Sequence, residues 1–267
     1  MNTSVQAAVT EAVLLRRDAG GVATLTLNRP SQFNALSREM LTALQNEIDR
    51  INADRSVRVV VIAGAGKAFC AGHDLKEMRA NPSKAFQKAL FDQCGRFMLS
   101  LVDLPQPVIA RVHGIATAAG CQLVSMCDLA VASEDARFAV SGINVGLFCS
   151  TPSVGLSRNI SRKQAMAMLL TGEFIDAQSA LAQGLVNRVV PIDQLDAEVK
   201  KFADAVLAKS PAAIAVGKEL FYRQMEKGLK DAYEAASEAM ACNMMFEDAA
   251  EGIDAFMQKR PPVWRGG

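Results

Sequence analysis

Short apolar runs alternate with stretches of helical period along most of this 267-residue chain, a pattern that predicts a sheet covered by helices in a mixed α/β fold. Residues 12–15 and 22–27 predict a hairpin turning at Ala19, Gly20 and Gly21. Ser37 stands where it would cap a helix with Met40, Leu41, Leu44, Ile48 and Ile51 along one face. Residues 57–63 predict a buried strand, and 83–104 a helix that stops at Leu104-Pro105-Gln106-Pro107. A strand over 108–112 follows and delivers a turn rich in glycine and alanine, which leads into a helix over 117–127. Beyond Pro191 the period is helical throughout, over 195–209, 211–226, 229–246 and 247–259. No internal repeat or low-complexity linker interrupts the pattern.

Composition narrows the class. With 50% hydrophobic residues the chain can bury a substantial core, and one large α/β domain is as consistent with it as two small ones. A net charge of +1 with dispersed lysines and arginines argues against nucleic acid as the main partner, because phosphate neutralisation needs clustered positive charge. Cys70, Cys94, Cys121, Cys127, Cys149 and Cys242 show no CxxC spacing and have only His73 and His113 for company, so no metal set is expected and reduced thiols are. No apolar stretch approaches the roughly 20 residues that cross a bilayer, and residues 1–20 lack the apolar segment of a signal peptide. The expected setting is a soluble, reducing compartment without a membrane partner.

Two segments carry the candidate chemistry. AFCAGHDL (68–75) and HGIATAAGCQL (113–123) each follow a β-branched apolar run and lead into a helix-like stretch. A backbone N–H from each turn, aimed at one point, would form a two-donor hole for a polarised carbonyl, and small residues let the backbone approach it. Such junctions also serve as plain connections, and the turns alone leave both readings open.

TLTLNRPSQFNALSREM (24–40), FCAGHDLKEM (69–78), the second turn continuing through CQLVSMCDLAVAS to Ser133, and EGIDAFMQKRPPVW (251–264) together resemble the enoyl-CoA hydratase/isomerase (crotonase) superfamily. The resemblance implies a crotonase-like spiral of ββα units over 1–195, followed by a helical region over 196–267 that packs on neighbouring subunits of a trimer or dimer of trimers. It also implies an acyl-CoA thioester as substrate, with coenzyme A present only as part of it and no separate cofactor. The setting becomes the cytoplasm, or the mitochondrial matrix in a eukaryote.

Residue by residue, the resemblance places the two N–H donors on His73 and Ala119. Ala119 stands where glycine is usual, which requires a negative or left-handed local φ. Ala71, Gly72, Asp74, Leu75 and Gly120 belong to the substrate and coenzyme A site, and Phe256 and Lys259 approach the adenine or phosphates. Asp74 also reads as a helix N-cap, Lys76 and Glu77 as a solvated pair, and His113 as a structural hydrogen-bonder. Asp176 caps a short helix closed by Gly184. The His73 imidazole is expected to point outward or bond locally, with an acid/base role as the alternative.

The family's two catalytic glutamates fall on Gln122 and Gly142. Gln122 can hold a water but cannot take its proton, and Gly142 has no side chain. Asn144, Cys149, Ser150, Thr151 and Glu173 are the candidate replacements; Phe148, Cys149 and Ser150 read more simply as a packed wall. The nominal activity is enoyl-CoA hydration, expected to be weak. Alternatives are another acyl-CoA reaction, such as thioester hydrolysis or decarboxylation, or acyl-CoA binding without turnover.

Overall fold

The structure, a computed structural model, describes residues 12–266; residues 1–11, part of the stretch read for a signal segment, lie outside the description. Gly20 and Gly21, at φ +57° and +81°, turn β1 (Leu14–Ala19) into β2 (Val22–Leu27), the paired positive φ that a two-residue hairpin needs. Ser37 caps α1 (Arg38–Ala53) by accepting the Met40 N–H, and the buried face is Met40, Leu41, Leu44, Ile48 and Ile51, as its period predicts. Burying each such side chain stabilises by roughly 1.5–3 kcal/mol.

From there the chain repeats one move. β3 (Val59–Gly64) and β4 (Ala68–Cys70) lead to α2 (Leu75–Ala80) and α3 (Lys84–Asp103). β5 (Val108–Val112) and β6 (Ile115–Thr117) lead to α4 (Ala119–Met126). β7 (Leu129–Ser133) and β8 (Arg137–Ala139) lead to α5 (Ser150–Asn159) and α6 (Arg162–Thr171), and β9 (Ile175–Asp176), α7 (Ala177–Gln183) and β10 (Arg188–Val190) complete the spiral. In the pairs β3–β4, β5–β6 and β7–β8 the first strand joins a six-stranded sheet, β1-β2-β3-β5-β7-β10, and the second joins a four-stranded one, β4-β6-β8-β9; in the last pair the order reverses. Pairing is parallel except for β1 with β2 and β8 with β9.

Alternation along β3 divides the core. Val60 and Ile62 pack inward with α1 and α3, while Val59 and Val61 pack outward with Leu195, Val199 and Ala203 of α8 (Leu195–Leu207). α9 (Pro211–Met225) is pinned by Lys218, whose Nζ reaches Asp128 at 2.7 Å and donates to the carbonyls of Leu101 and Gln106, while the Tyr222 hydroxyl donates to the same Asp128 at 2.9 Å. α10 (Leu229–Met244) has no buried residue, and with α11 (Glu247–Met257) it exposes Leu229, Tyr233, Met240, Met244, Ile253 and Phe256.

Three expectations need correction. Residues 68–70, at the start of the first turn, form the strand β4, and the expected helix over 117–127 begins only at Ala119, Thr117 being the last residue of β6. Strands of three residues are too short to show a period. Glu77 is not a solvated partner of Lys76: its carboxylate accepts the Arg38 N–H at 3.0 Å, at the N-terminus of α1 where a negative charge is favoured. Asp176 and Gly184 do bound α7, the cap accepting the Ser179 N–H and the glycine turning at φ +88°. All six cysteines are free, and five are buried.

Candidate active site

The first turn is built from the end of β4. Ala71 N–H donates to Phe33 O at 3.0 Å, Leu36 N–H to Gly72 O at 2.7 Å, and Asp74 N–H to Leu36 O at 3.4 Å. The His73 N–H lies between these bonds and has no acceptor among the described residues. Asp74 is the N-cap of α2, accepting the Lys76 and Glu77 amides, and it pairs with Arg29 at 3.1 Å. Burial raises its pKa, but those amides and the guanidinium outweigh it and hold the carboxyl below the usual carboxylate range.

The segment that braces this turn was missed as a functional element. Asn34, fully buried, donates to Ala65 O and Ala68 O, both at 2.8 Å, and accepts the Arg29 N–H at 2.9 Å. It ties residues 29–36 to β4, so the carbonyls that orient Ala71 to Asp74 are fixed. An Asn inside a polar turn gives no local sign of such a long-range role.

The second turn carries the strain. Ala118, not Ala119, takes the unusual conformation, at φ +50° and ψ −120°, a region nearly reserved for glycine that costs about 1–3 kcal/mol. Its N–H donates to Ala139 O and its carbonyl accepts Gln122 N–H, both at 3.0 Å, which hold it in place. Ala119 then opens α4, where a first-turn N–H has no acceptor within the helix; none is supplied elsewhere among the described residues.

The two turns touch. A Cβ on Gly72, which has φ +89°, would lie 2.8 Å from Ala118 Cβ and 3.1 Å from Ala119 N. A Cβ on Gly120 would overlap the Cys70 carbonyl oxygen. Glycine at these two positions is therefore what lets α4 seat against the end of β4.

Above the turns is a cavity of about 320 Å³. Ala71, His73, Leu75, Ala119 and Gly142 line it, as do Met78, Phe91, Phe148 and the Cys149 to Pro152 segment. Gly72 and Gly120 support it without lining it. Gln122 is buried one helical turn past Ala119, does not line the cavity, and leaves its Oε1 without a partner among the described residues. Asn144 and Glu173 are outside the lining, the former directed to Gly172 O at 3.5 Å and the latter exposed. Phe256 is 85% exposed and Lys259 is exposed at φ +54°; neither lines the cavity within one chain. A larger hollow of about 810 Å³ lies against α3, α5 and α9, but none of the residues of either turn reaches it. Size does not select the site; the paired free amides do.

Among the described residues no aspartate or glutamate lines the smaller cavity. Its titratable groups are His73 and Cys149, and both are held neutral near pH 7. Burial lowers the His73 pKa, opposed by the bond to Leu36 O, and burial raises that of the Cys149 thiol, opposed by the Gly142 N–H it accepts at 3.3 Å. The imidazole is locally bonded, through Nδ1 to Leu36 O at 3.3 Å, and its Nε2 is buried without a partner among the described residues. His113 bonds Gly66 O through Nε2 at 2.9 Å and is structural.

The profile of the enoyl-CoA hydratase/isomerase family matches residues 17–267. The chain belongs to this family. Among the family's relatives, the mitochondrial enoyl-CoA hydratase domain-containing protein 3 of Xenopus laevis is 48% identical over 244 residues, covering 91% of this chain and 83% of its own. A solved enoyl-CoA hydratase of Mycobacterium smegmatis superposes with a TM-score of 0.94 at 60% identity, covering 95% of this chain and 99% of its own. Human enoyl-CoA hydratase domain-containing protein 3 superposes at 0.92 with 43% identity, covering 94% and 100%. The fold is thus that of the crotonase superfamily, with a helical C-terminal region. Among the described residues no helix is long and apolar enough to cross a membrane.

Proposed function

We propose that the chain is an acyl-CoA enzyme that binds the thioester carbonyl on the N–H groups of His73 and Ala119 and stabilises an enolate-like oxyanion there. The observation that carries this reading is the pair of unpartnered amides on two touching turns, beside a mostly apolar cavity. The N-terminus of α4 adds its dipole at the same place. Ala71 and Leu75 border the entrance to the coenzyme A portion. Phe256 and Lys259 serve it from a neighbouring subunit in a trimer or dimer of trimers, an assembly that would also cover the apolar side chains exposed on α10 and α11. No further cofactor is required.

The reaction is set by what the cavity lacks. Gln122 and Gly142 supply no carboxylate, so enoyl-CoA hydration is the nominal activity and a slow one. The same absence favours a second reading, decarboxylation of a 2-carboxyacyl-CoA. Loss of carbon dioxide leaves the electron pair on the enolate, so no base is needed to form it. An acyl-CoA-binding protein without turnover would share the site.

Titration calorimetry separates the substrate class from other possibilities. Butyryl-CoA is expected to give saturable heat and to bind at least about tenfold more tightly than free coenzyme A, since it adds two carbonyl hydrogen bonds and an apolar chain. Folded protein that gives no saturable heat with butyryl-CoA would remove the acyl-CoA assignment. Product analysis on enoyl-, 2-carboxyacyl- and saturated acyl-CoA then distinguishes the reactions.

A further inference from the structure

We propose that the chain carries a second ligand site, at the opposite end of the parallel strands from the acyl cavity: Arg55, Arg58 and Arg265, with the free N–H at the start of α9, bind a phosphate group, free or on a small organic phosphate. The site is separate from the acyl-CoA reading above and does not depend on it.

A hollow of about 530 Å³ lies there. Its walls come from Asn52 at the end of α1, the loop that leads through Arg55 and Arg58 into β3, residues 105–107 before β5, the first turn of α9, and residues 264–266 of the C-terminal segment. None of these residues lines the acyl cavity. β3 and β5 begin at this hollow and run toward the two turns, and the six residues of β3 alone span about 20 Å.

Among the described residues every charged side chain in the lining is an arginine. Arg58 is half-buried and donates to Lys209 O at 2.7 Å, and neither it nor Arg55 has an ion pair among the described residues. Burial lowers the Arg58 pKa, opposed by the charge of Asp248. Arg265 meets Glu247 at 3.4 Å, an exposed pair that contributes little. The other nearby carboxylates are engaged. Asp54 pairs with Arg16 at 3.6 Å and accepts both the N–H and the hydroxyl of Ser56. Asp248, buried outside the lining, accepts the Ser210 hydroxyl at 2.6 Å and the N–H groups of Arg265 and Gly266 at 2.6 and 3.1 Å. Both leave the guanidiniums facing the hollow without a counter-charge in it.

α9 adds a donor of a different kind. Ser210 caps the helix by accepting the Ala213 N–H, Ile214 N–H bonds to Ser210 O, and Pro211 has no N–H. The Ala212 N–H is thus left without an acceptor among the described residues, and Ala212 lines the hollow. A helix N-terminus favours an anion at that place. Three guanidiniums and an amide exceed what one carboxylate can use and suit the two charges and three free oxygens of a phosphate. Arg55 and Arg58 belong to the spiral core and Arg265 to the C-terminal segment, so a phosphate held between them ties the two regions together.

Titration calorimetry with inorganic phosphate and with phenyl phosphate, at constant ionic strength, tests the site on the unmodified protein, Arg55→Gln, the double change Arg55→Gln with Arg58→Gln, and Lys259→Gln. Saturable binding is expected with a Kd of about 1 mM or tighter. The double change should weaken it at least about tenfold and Arg55→Gln by part of that, since each removes a charged hydrogen bond. Lys259→Gln, which alters an exposed cation outside the hollow, should leave it unchanged. Tighter binding of phenyl phosphate would make an organic phosphate the ligand, and equal or weaker binding would make it free phosphate. No saturable heat in the unmodified protein, affinity undiminished in the double variant, or a loss confined to Lys259→Gln would overturn the inference. None of these results bears on the acyl-CoA reading, which the butyryl-CoA titration decides. Arg55 is exposed, so Arg55→Gln decides the outcome should the double variant fail to fold.

Discussion

Crotonyl-CoA is expected to be hydrated by the purified protein at a rate about 10² to 10⁴ below that of a hydratase with both carboxylates, the range that general acid/base action supplies. The resemblance puts the family's two glutamate positions at Gln122 and Gly142, and among the described residues no Asp or Glu lines the cavity. Restoring the carboxylates is not symmetrical. Gln122→Glu keeps the shape of a side chain that already fits, whereas a Cβ on Gly142 would lie 2.5 Å from Leu147 O and 2.8 Å from Cys149 Sγ. The Gly142 backbone is not the obstacle, since its φ is not positive; the wall at 147–149 is. The double change Gln122→Glu with Gly142→Glu should therefore recover hydration only if that wall yields, and neither single change should suffice. A steady-state assay of crotonyl-CoA disappearance checks this. Rapid hydration by the unmodified protein would show that another group, His73 first, works as the base.

Gly120→Ala is expected to destabilise the fold by about 3 kcal/mol or more and to abolish acyl-CoA binding. The added methyl would overlap the Cys70 carbonyl oxygen and lie 2.9 Å from Cys70 Cβ, and a backbone atom in a buried strand cannot rotate away. Overpacking of this kind costs about 1–3 kcal/mol even where side chains can adjust. Relief would require α4 to withdraw from β4, which moves the Ala119 N–H away from His73. Gly95→Ala, inside α3 with nothing within 4 Å of the new methyl, is the matched control and should stabilise by about 0.5–1 kcal/mol. Urea denaturation of the two variants, with butyryl-CoA titration alongside, reads both effects.

The elements that were legible in the sequence are those long enough to show a period. α1, with its Ser37 cap and five-residue apolar face, and α3, bounded by Ser83 and the Leu104 to Pro107 stop, follow from local preferences that agree with their packing. The three-residue strands β4, β6 and β8 exist through their partners in the small sheet and have no signature of their own. The positive φ was expected at Ala119 if anywhere and is found at Ala118, because alanine does not announce a conformation that surrounding hydrogen bonds impose. Cavity residues within the first turn, such as Ala71 and Leu75, and Gly142 beyond the second, are visible by resemblance. Asn34 and Phe91 reach the first turn from distant segments, and only the folded chain brings them there.

The deciding geometry is a thioester carbonyl held by two backbone amides with no carboxylate at hand. A crystal structure of the protein with a non-hydrolysable acyl-CoA analogue measures it directly. The thioester oxygen is predicted to lie about 2.7–3.1 Å from both His73 N and Ala119 N, with no Asp or Glu oxygen within hydrogen-bond reach of the α and β carbons. A carbonyl bound elsewhere, or a carboxylate brought beside those carbons by a neighbouring subunit, would contradict it.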